Sequence, residues 1–338
     1  EFELGTDLRF FKNKLSIGFT YFGNTTEDVL LNFPVANSTG YSSIYTNGAS
    51  IENKGIELDL GYKIFTTNEF SWSVNANFTA VKNEVTDLAG AESLNLGGLS
   101  AVSSRAVEGE ALGVLWGSRT LRNDDGSIVY DAYGFPEQDQ LEGVIGDPNP
   151  DWQGGLSNTL KYKNFRLSVL AETYQGADIY AGTKSVMRDL GTWYDTGNQE
   201  IADRNYFESN GNIINIGETF RGNIADFGAG PVALTESWYN GEGGFFGGGN
   251  DELYIEDGSW TRIREITLSY VWKSDWLKNA TKLKSIEFSA TGRNLVLWTN
   301  FEGNDPDTNL SGVSAARGID YFNNPGTKSY LFSATFNL

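Results

Sequence analysis

Apolar and polar residues alternate with period two in nine stretches of the chain, and the clearest is Ile56–Ile64. Ile56, Leu58, Leu60, Tyr62 and Ile64 fall on one face of a strand, and Glu57, Asp59, Gly61 and Lys63 fall on the other. The same rhythm marks Phe2–Phe10, Leu15–Tyr21, Phe70–Phe78, Trp152–Tyr162, Phe165–Thr173, Ile263–Trp272, Ser285–Leu295 and Lys328–Leu338. The apolar faces end in aromatic rings, while the opposite faces carry charges and small polar groups that a packed core would not accept. An apolar outside around a wet inside predicts an all-β, antiparallel transmembrane β-barrel.

Connection lengths orient these strands. Short turns at 12–14, 66–69, 163–164 and 273–282 are expected on the periplasmic side. Long segments near 22–50, 86–151, 178–256 and 298–326 are expected outside the cell, with the last strand bringing Leu338 to the periplasm. A hairpin within 86–151, Val114–Thr120 with Ile128–Tyr133 about Asp124-Asp125-Gly126, would keep the alternation intact. In the strand ending at Trp272, Arg262 and Arg264 share the parity of Ile266, Leu268 and Tyr270. Either a bulge intervenes there or the arginines lie above the lipid. Nine strands, an odd number, do not close an ordinary single-chain bacterial barrel, and an open lipid-facing sheet would aggregate. The chain is therefore expected to be the C-terminal portion of a larger barrel.

Composition narrows the chemistry. The 338 residues include 40 Gly and 14% aromatics, with 44 Asp and Glu against 25 Lys and Arg for a formal net charge of −19. The acidic balance disfavours nucleic acid. With no Cys and no His, disulfides, thiolate chemistry, histidine acid–base catalysis and the usual zinc sites are excluded. Paired carboxylates remain as the one route to hydrolysis, and no such pair stands out; neither an enzyme nor a cofactor is expected. Asn123-Asp124-Asp125-Gly126 fails as an EF-hand, because that frame puts Leu121 and Ala132 where carboxylates are needed. A turn is the better reading. Asp305-Pro306-Asp307 offers two carboxylates to a cation, a weak signal on its own. Asp147-Pro148-Asn149-Pro150 reads as a rigid lead-in to the Trp152 strand.

The strand ends carry further motifs: Asn53-Lys54-Gly55-Ile56-Glu57-Leu58, Gly146-Asp147-Pro148-Asn149-Pro150-Asp151-Trp152, Glu256-Asp257-Gly258-Ser259-Trp260-Thr261-Arg262-Ile263-Arg264, Gly292-Arg293-Asn294-Leu295, Gly303-Asn304-Asp305-Pro306-Asp307-Thr308-Asn309, and Arg317-Gly318-Ile319-Asp320-Tyr321 leading to Asn324-Pro325-Gly326-Thr327-Lys328-Ser329-Tyr330. In order and spacing they resemble the SusC/RagA family of TonB-dependent outer-membrane transporters from Bacteroidota. The resemblance implies a barrel of roughly 22 strands closed by an N-terminal plug that lies outside this sequence. It also implies a SusD-like surface lipoprotein acting as a lid, energy from TonB through a segment ahead of the plug, and import of an oligosaccharide or peptide. Leu338 departs from the terminal Phe usual in outer-membrane barrels.

Glu57, Asp59, Lys63, Lys161, Arg166, Glu172, Glu287 and Arg293 are expected to face the lumen. Trp193, Tyr194, Trp238, Tyr239, Phe245 and Phe246, in the longest loop, are the candidate substrate or lid contacts, since aromatic faces stack on sugar rings and peptide side chains. The competing reading is a soluble, aromatic- and Gly-rich β-sandwich that binds carbohydrate; it needs a second sheet against the apolar faces.

Overall fold

The computed structural model describes residues 1–246, 248–312 and 316–338. Its centre is a nine-stranded sheet: β1 (Phe2–Phe10), β2 (Leu15–Pro34), β3 (Ser43–Thr66), β4 (Phe70–Asp87), β5 (Trp152–Tyr162), β6 (Phe165–Gln175), β7 (Trp260–Trp272), β8 (Ser285–Thr299) and β9 (Ser329–Asn337). Each strand pairs antiparallel with the next one along the chain. Register carries the alternation across the sheet. Phe19 faces Leu58, and Leu58 faces Phe78. Further on, Leu167 faces Leu268, Leu268 faces Ala290, and Ala290 faces Phe332.

This apolar face is bare. Phe2, Leu4, Leu268, Tyr330, Phe332 and Phe336 all stand half or more exposed, and no second sheet covers them among the described residues, which removes the sandwich reading. Aromatic rings mark its two rims: Phe65 stacks on Trp72 near one end, and Phe78 stacks on Trp152 near the other. Trp72 and Phe78 are six residues apart, or roughly 20 Å at ~3.3 Å per residue, close to the ~25 Å height of a lipid-facing band. None of the described helices is long and apolar enough to cross a membrane, so any crossing is made by strands.

Two bulges adjust the pattern. At Ile64 the register between β3 and β4 slips, so Phe65, not Ile64, continues the outward face opposite Trp72. At Arg264 the register between β7 and both its neighbours slips. The parity conflict of the two arginines is resolved by that bulge. Ile263 turns outward, Arg262 lies opposite Glu172 on the polar face, and Arg264 reaches the same Glu172 at 2.6 Å.

The short connections gather at one end of the sheet. The β1–β2 turn holds Phe11, Lys12 and Asn13 in left-handed backbone. The β7–β8 connection contains helix α1 (Asp275–Thr281), capped by Ser274, whose hydroxyl accepts from the Leu277 amide at 3.1 Å. At the opposite end, 22–50 is not a loop. β2 and β3 run on as a ladder far past the apolar band, joined across 35–42. The near part of this extension is polar (Asn24 bonds Asn53 at 3.0 Å, and Lys54 pairs with Glu52 at 2.8 Å) and its far part packs Phe33 and Ala49 into a loop cluster, so no lipid pattern announces it.

Segment 86–151 adds no wall strand and so preserves the alternation. Its pairing differs from expectation: Val114–Gly117 pairs with Gly143–Gly146, not with 128–133. A narrow arm follows, with Arg122 bridged to Ile128 and a turn at 123–127 closed by the Gly126 amide on the Asn123 carbonyl, 2.9 Å.

The hydrophobic core lies in these long connections. Phe33, Ala49, Val85, Leu88, Leu94 and Ala106 form one cluster; Val102, Leu115, Tyr180, Tyr254 and Ile319 form another. A third contains Phe135, Val232, Trp238 and Tyr239. The wall is a single layer and has no such interior. One junction between wall and loops is the ion pair of Arg262 on β7 with Asp305 at 2.5 Å, with side chains only 4% and 7% exposed.

Two outcomes follow from this geometry. Leu58→Arg, in mid-band on the apolar face, should cost about 2–4 kcal/mol and reduce the folded fraction seen by heat-modifiable gel mobility, whereas Glu57→Gln should assemble normally; equal behaviour would overturn the assigned orientation. Asp305→Ala strands a buried guanidinium and should cost about 3–5 kcal/mol in denaturant unfolding of the full-length protein, with most of the loss recovered when Arg262 is also replaced by an apolar residue of similar volume.

Candidate functional site

On the polar face, beneath the packed loops, lies a cleft of about 830 Å³. Its floor is the wall from β3 to β7 and contributes Glu57, Asp59, Asn75, Asn77, Gln153, Ser157, Glu172, Tyr174, Trp260 and Arg264. Its roof is built from Pro148, 177–179, Pro306, Asp307, Asn309 and Arg317-Gly318. The period-two rule puts the floor residues on one face; the Arg264 bulge adds the guanidinium.

The sequence motifs converge on the roof and hold one another. The Asp147 amide donates to Asp178 Oδ2 at 2.8 Å, and Asp147 Oδ1 accepts from the Asn149 amide and side chain at 2.9 and 2.8 Å. Asn149 Nδ2 reaches the Leu112 carbonyl at 3.1 Å. Gly318, at φ +74, packs so closely that a Cβ would collide with Pro148 and crowd the Asp178 carbonyl. Arg264 pairs with Asp307 at 3.1 Å as well as with Glu172. Asp305 and Asp307, the two carboxylates offered to a cation by the sequence, thus each hold an arginine. Among the described residues no group of three or more metal-ligating side chains is gathered.

Tyr174 and Trp260 stack at 6.0 Å with 9° between their planes. The Tyr174 hydroxyl donates to the Pro148 carbonyl at 3.2 Å, and Arg317 lines the same cleft. Glu57 and Asp59 have no ion-pair partner among the described residues, in contrast to Glu172. Asp178, at the roof, has its carboxyl pushed up from the ordinary range by burial, with the Asp147 amide pulling part of the way back.

Away from the cleft, Asp251 stitches two loops together. Its carboxylate accepts from Ser118 Oγ at 2.7 Å and Tyr180 OH at 3.1 Å. Burial raises its pKa, and these hydrogen bonds oppose the rise. Neighbouring Glu252 holds Arg122 at 2.6 Å and the Thr120 amide at 2.8 Å.

The expected lumen residues separate into levels. Glu57, Asp59 and Glu172 line the cleft. Lys63 lies nearer the short turns, in a smaller basic hollow with Arg9 and Lys14. Lys161 is register partner to Arg166, and Arg293 pairs with Glu265 at 2.9 Å. Glu287 lies opposite Thr335 on the same face.

The six loop aromatics do not form one surface. Trp238 and Tyr239 are 3% and 4% exposed. Trp238 packs on Phe135 and Phe227, with ring centroids 5.0 and 5.5 Å away, so both residues belong to the loop core. Tyr194 and Phe246 are 74% and 64% exposed, and Trp193 and Phe245 are half-buried behind them. Phe245 joins Tyr321, 5.7 Å away. Tyr174, Trp260, Asp178 and Arg317 were not singled out as site residues from the sequence. Correct phasing across the Arg264 bulge would have pointed Trp260 inward.

No family model matches the chain. TonB-dependent receptor P3 of Formosa agariphila is 25% identical over a 359-residue alignment that covers 98% of this chain and 33% of that protein. TonB-dependent receptor SusC of Bacteroides thetaiotaomicron is 24% identical over 330 residues, covering 92% of this chain and 29% of SusC. The solved RagAB peptide transporter shares the fold over 99% of this chain and 34% of its own, with a TM-score of 0.68 at 19% identity. The chain thus spans about a third of the length of the curated relatives it matches. These relatives are receptors and transporters, not enzymes, and are β-barrels of the outer membrane. Relatives along nearly the whole chain and a shared barrel wall together make this chain similar to the C-terminal barrel portion of SusC/RagA-type TonB-dependent receptors.

Proposed function

We propose that the protein containing this chain imports a bulky polar nutrient, an oligosaccharide or a peptide, across the outer membrane. A SusD-like surface lipoprotein would sit as a lid over the long loops. TonB would supply energy through a segment outside this chain, and a plug would occupy the barrel. In this reading the long loops are extracellular, the short turns and Leu338 are periplasmic, and substrate occupancy favours one arrangement of lid and plug over another.

The observation that carries the reading is the cleft itself. Its floor is the polar face of a lipid-facing wall and its roof is the loop assembly, so a solute held there is already inside the plane of the membrane. Tyr194 and Phe246, the exposed members of the loop aromatics, are the proposed lid contacts.

Native full-length protein purified from outer membranes in mild detergent should carry a stoichiometric surface lipoprotein, identified by mass spectrometry. The double variant Tyr194→Ala and Phe246→Ala should assemble normally and lose most of that partner. Trp238→Ala should instead destabilise the loop core by about 3–5 kcal/mol and raise loop proteolysis. Retention of the partner by the double variant would count against the lid contact.

A further inference from the structure

The short connections at one end of the sheet repeat a sequence step. Phe11-Lys12, Tyr162-Lys163 and Trp272-Lys273 each put a lysine directly after an aromatic residue. Phe11 and Tyr162 are 71% and 54% exposed. Tyr162 and Trp272 belong to the outward face: Tyr162 is register partner to Phe165 and Phe165 to Tyr270, while Trp272 keeps the parity of Leu268 and Tyr270. Each of these lysines therefore stands at the margin of the apolar band. Lys163 Nζ lies 5.4 Å from the centroid of the Tyr162 ring, and its carboxylate neighbour Glu69, 3.7 Å away, is itself exposed.

The β7–β8 connection enlarges this margin. Trp276 on α1 is 65% exposed and stacks on Trp272, 6.1 Å away with 20° between the planes. That contact holds the short helix against the outward end of the wall, with Leu277 buried. Lys278 and Lys282 are four positions apart, and the chain reverses at Lys282, φ +65. The Lys284 amide then donates to the Asn337 carbonyl at 2.7 Å, and Lys284 has the parity of the outward Phe288. Lys273, Lys278, Lys282 and Lys284 are all exposed. None has an ion-pair partner among the described residues. In a chain of net charge −19, segment 273–284 carries these four lysines against Asp275 alone. Arg9, Lys14 and Lys63 belong to the separate hollow on the polar face and take no part.

Tryptophan favours the headgroup level of a bilayer, where its ring is sheltered and its N–H stays wet. Lysines just beyond the hydrocarbon are drawn to anionic headgroups. A soluble acidic partner would account for the charge, but not for its placement directly beyond an outward ring at three turns. We propose that this rim is an anionic-lipid site. Trp272 and Trp276 seat α1 at the headgroup level of the adjoining leaflet, and Lys273, Lys278, Lys282 and Lys284 hold the phosphates of negatively charged phospholipids. The site lies on the outer surface of the wall, away from plug and cleft; the proposed orientation decides only that the leaflet is the periplasmic one.

The test titrates full-length protein, delipidated in mild detergent, with phosphatidylglycerol and with phosphatidylcholine of the same acyl chains, and counts bound lipid by native mass spectrometry. Phosphatidylglycerol should bind on the order of tenfold more tightly, and the preference should shrink as salt is raised. Replacing all four lysines by Gln should remove most of the preference, whereas replacing them by Arg should keep it. Trp276→Ala should weaken both lipids alike. Heat-modifiable mobility confirms the folding of each variant. If the four-Gln chain fails to assemble, Lys278→Gln with Lys282→Gln, both outside the wall ladder, makes the same comparison. Glycerophosphoglycerol, the headgroup without its tails, should not displace the lipid even in large excess. Equal binding of the two lipids, or a preference that survives the Gln substitutions, overturns the inference. So does displacement by the headgroup alone, which would mark a phosphate site and not a lipid surface.

Discussion

In hydrocarbon an unpaired backbone N–H or C=O costs several kcal/mol, and everything else in this chain is arranged around that cost. A single sheet meets it by pairing each wall strand with the next, so the ladder of hydrogen bonds takes the place of a core. The consequence is visible in the exposures: the apolar side chains of β1 and β9 lie open on the outer face while their backbones are tied to a neighbour. Once register is set, each side chain is committed to lipid or to lumen, because a slip of one residue exchanges the two faces. Bulges are then the means of changing sides within a strand. That at Arg264 brings both arginines onto the polar face, where Glu172, Asp305 and Asp307 neutralise them.

The long connections solve a different problem. Surrounded by water, they bury Leu88, Leu115, Tyr180, Phe135 and Trp238 in ordinary packed clusters and tie polar groups to one another. The motifs of 146–152, 256–264, 303–309 and 317–321 lie where the two regimes meet. Their glycines, prolines and aspartates fix the approach of loop to wall, and the cleft is the space left between. Shape at this level comes from the contact of Gly318 with Pro148 and the hydrogen bond of Asp147 to Asp178.

What could be read in advance follows from which solvent each segment meets. Ile56–Lys63 was legible because lipid on one side and water on the other write opposite residue types at alternate positions. The extension of β2 and β3 past that band was not, since it leaves the lipid, packs Phe33 and Ala49 against a loop cluster, and loses the alternation while the backbone pairing continues. Ile64 and Arg264 were misphased or ambiguous for a local reason: a bulge changes parity without changing composition. The loop strands are two to six residues long, too short for any period to show. Trp238 and Tyr194 illustrate the remaining limit in the loops, where the first is buried and the second exposed, and only tertiary packing decides between them. Within the cleft, Glu57, Asp59 and Glu172 followed from strand parity, whereas Arg317 and Asp178 depend on loops meeting from distant parts of the chain.

The division between a coreless wall and a packed loop assembly also bears on how the chain acquires its structure. The wall ladder gains most where water is absent; the loop clusters gain only where water is present to be escaped. Residues such as Tyr174 and Asp178 lie four positions apart yet belong to the two different regimes. Folding of this polypeptide is therefore a process run in two solvents at once, and the boundary between them is drawn along the chain itself.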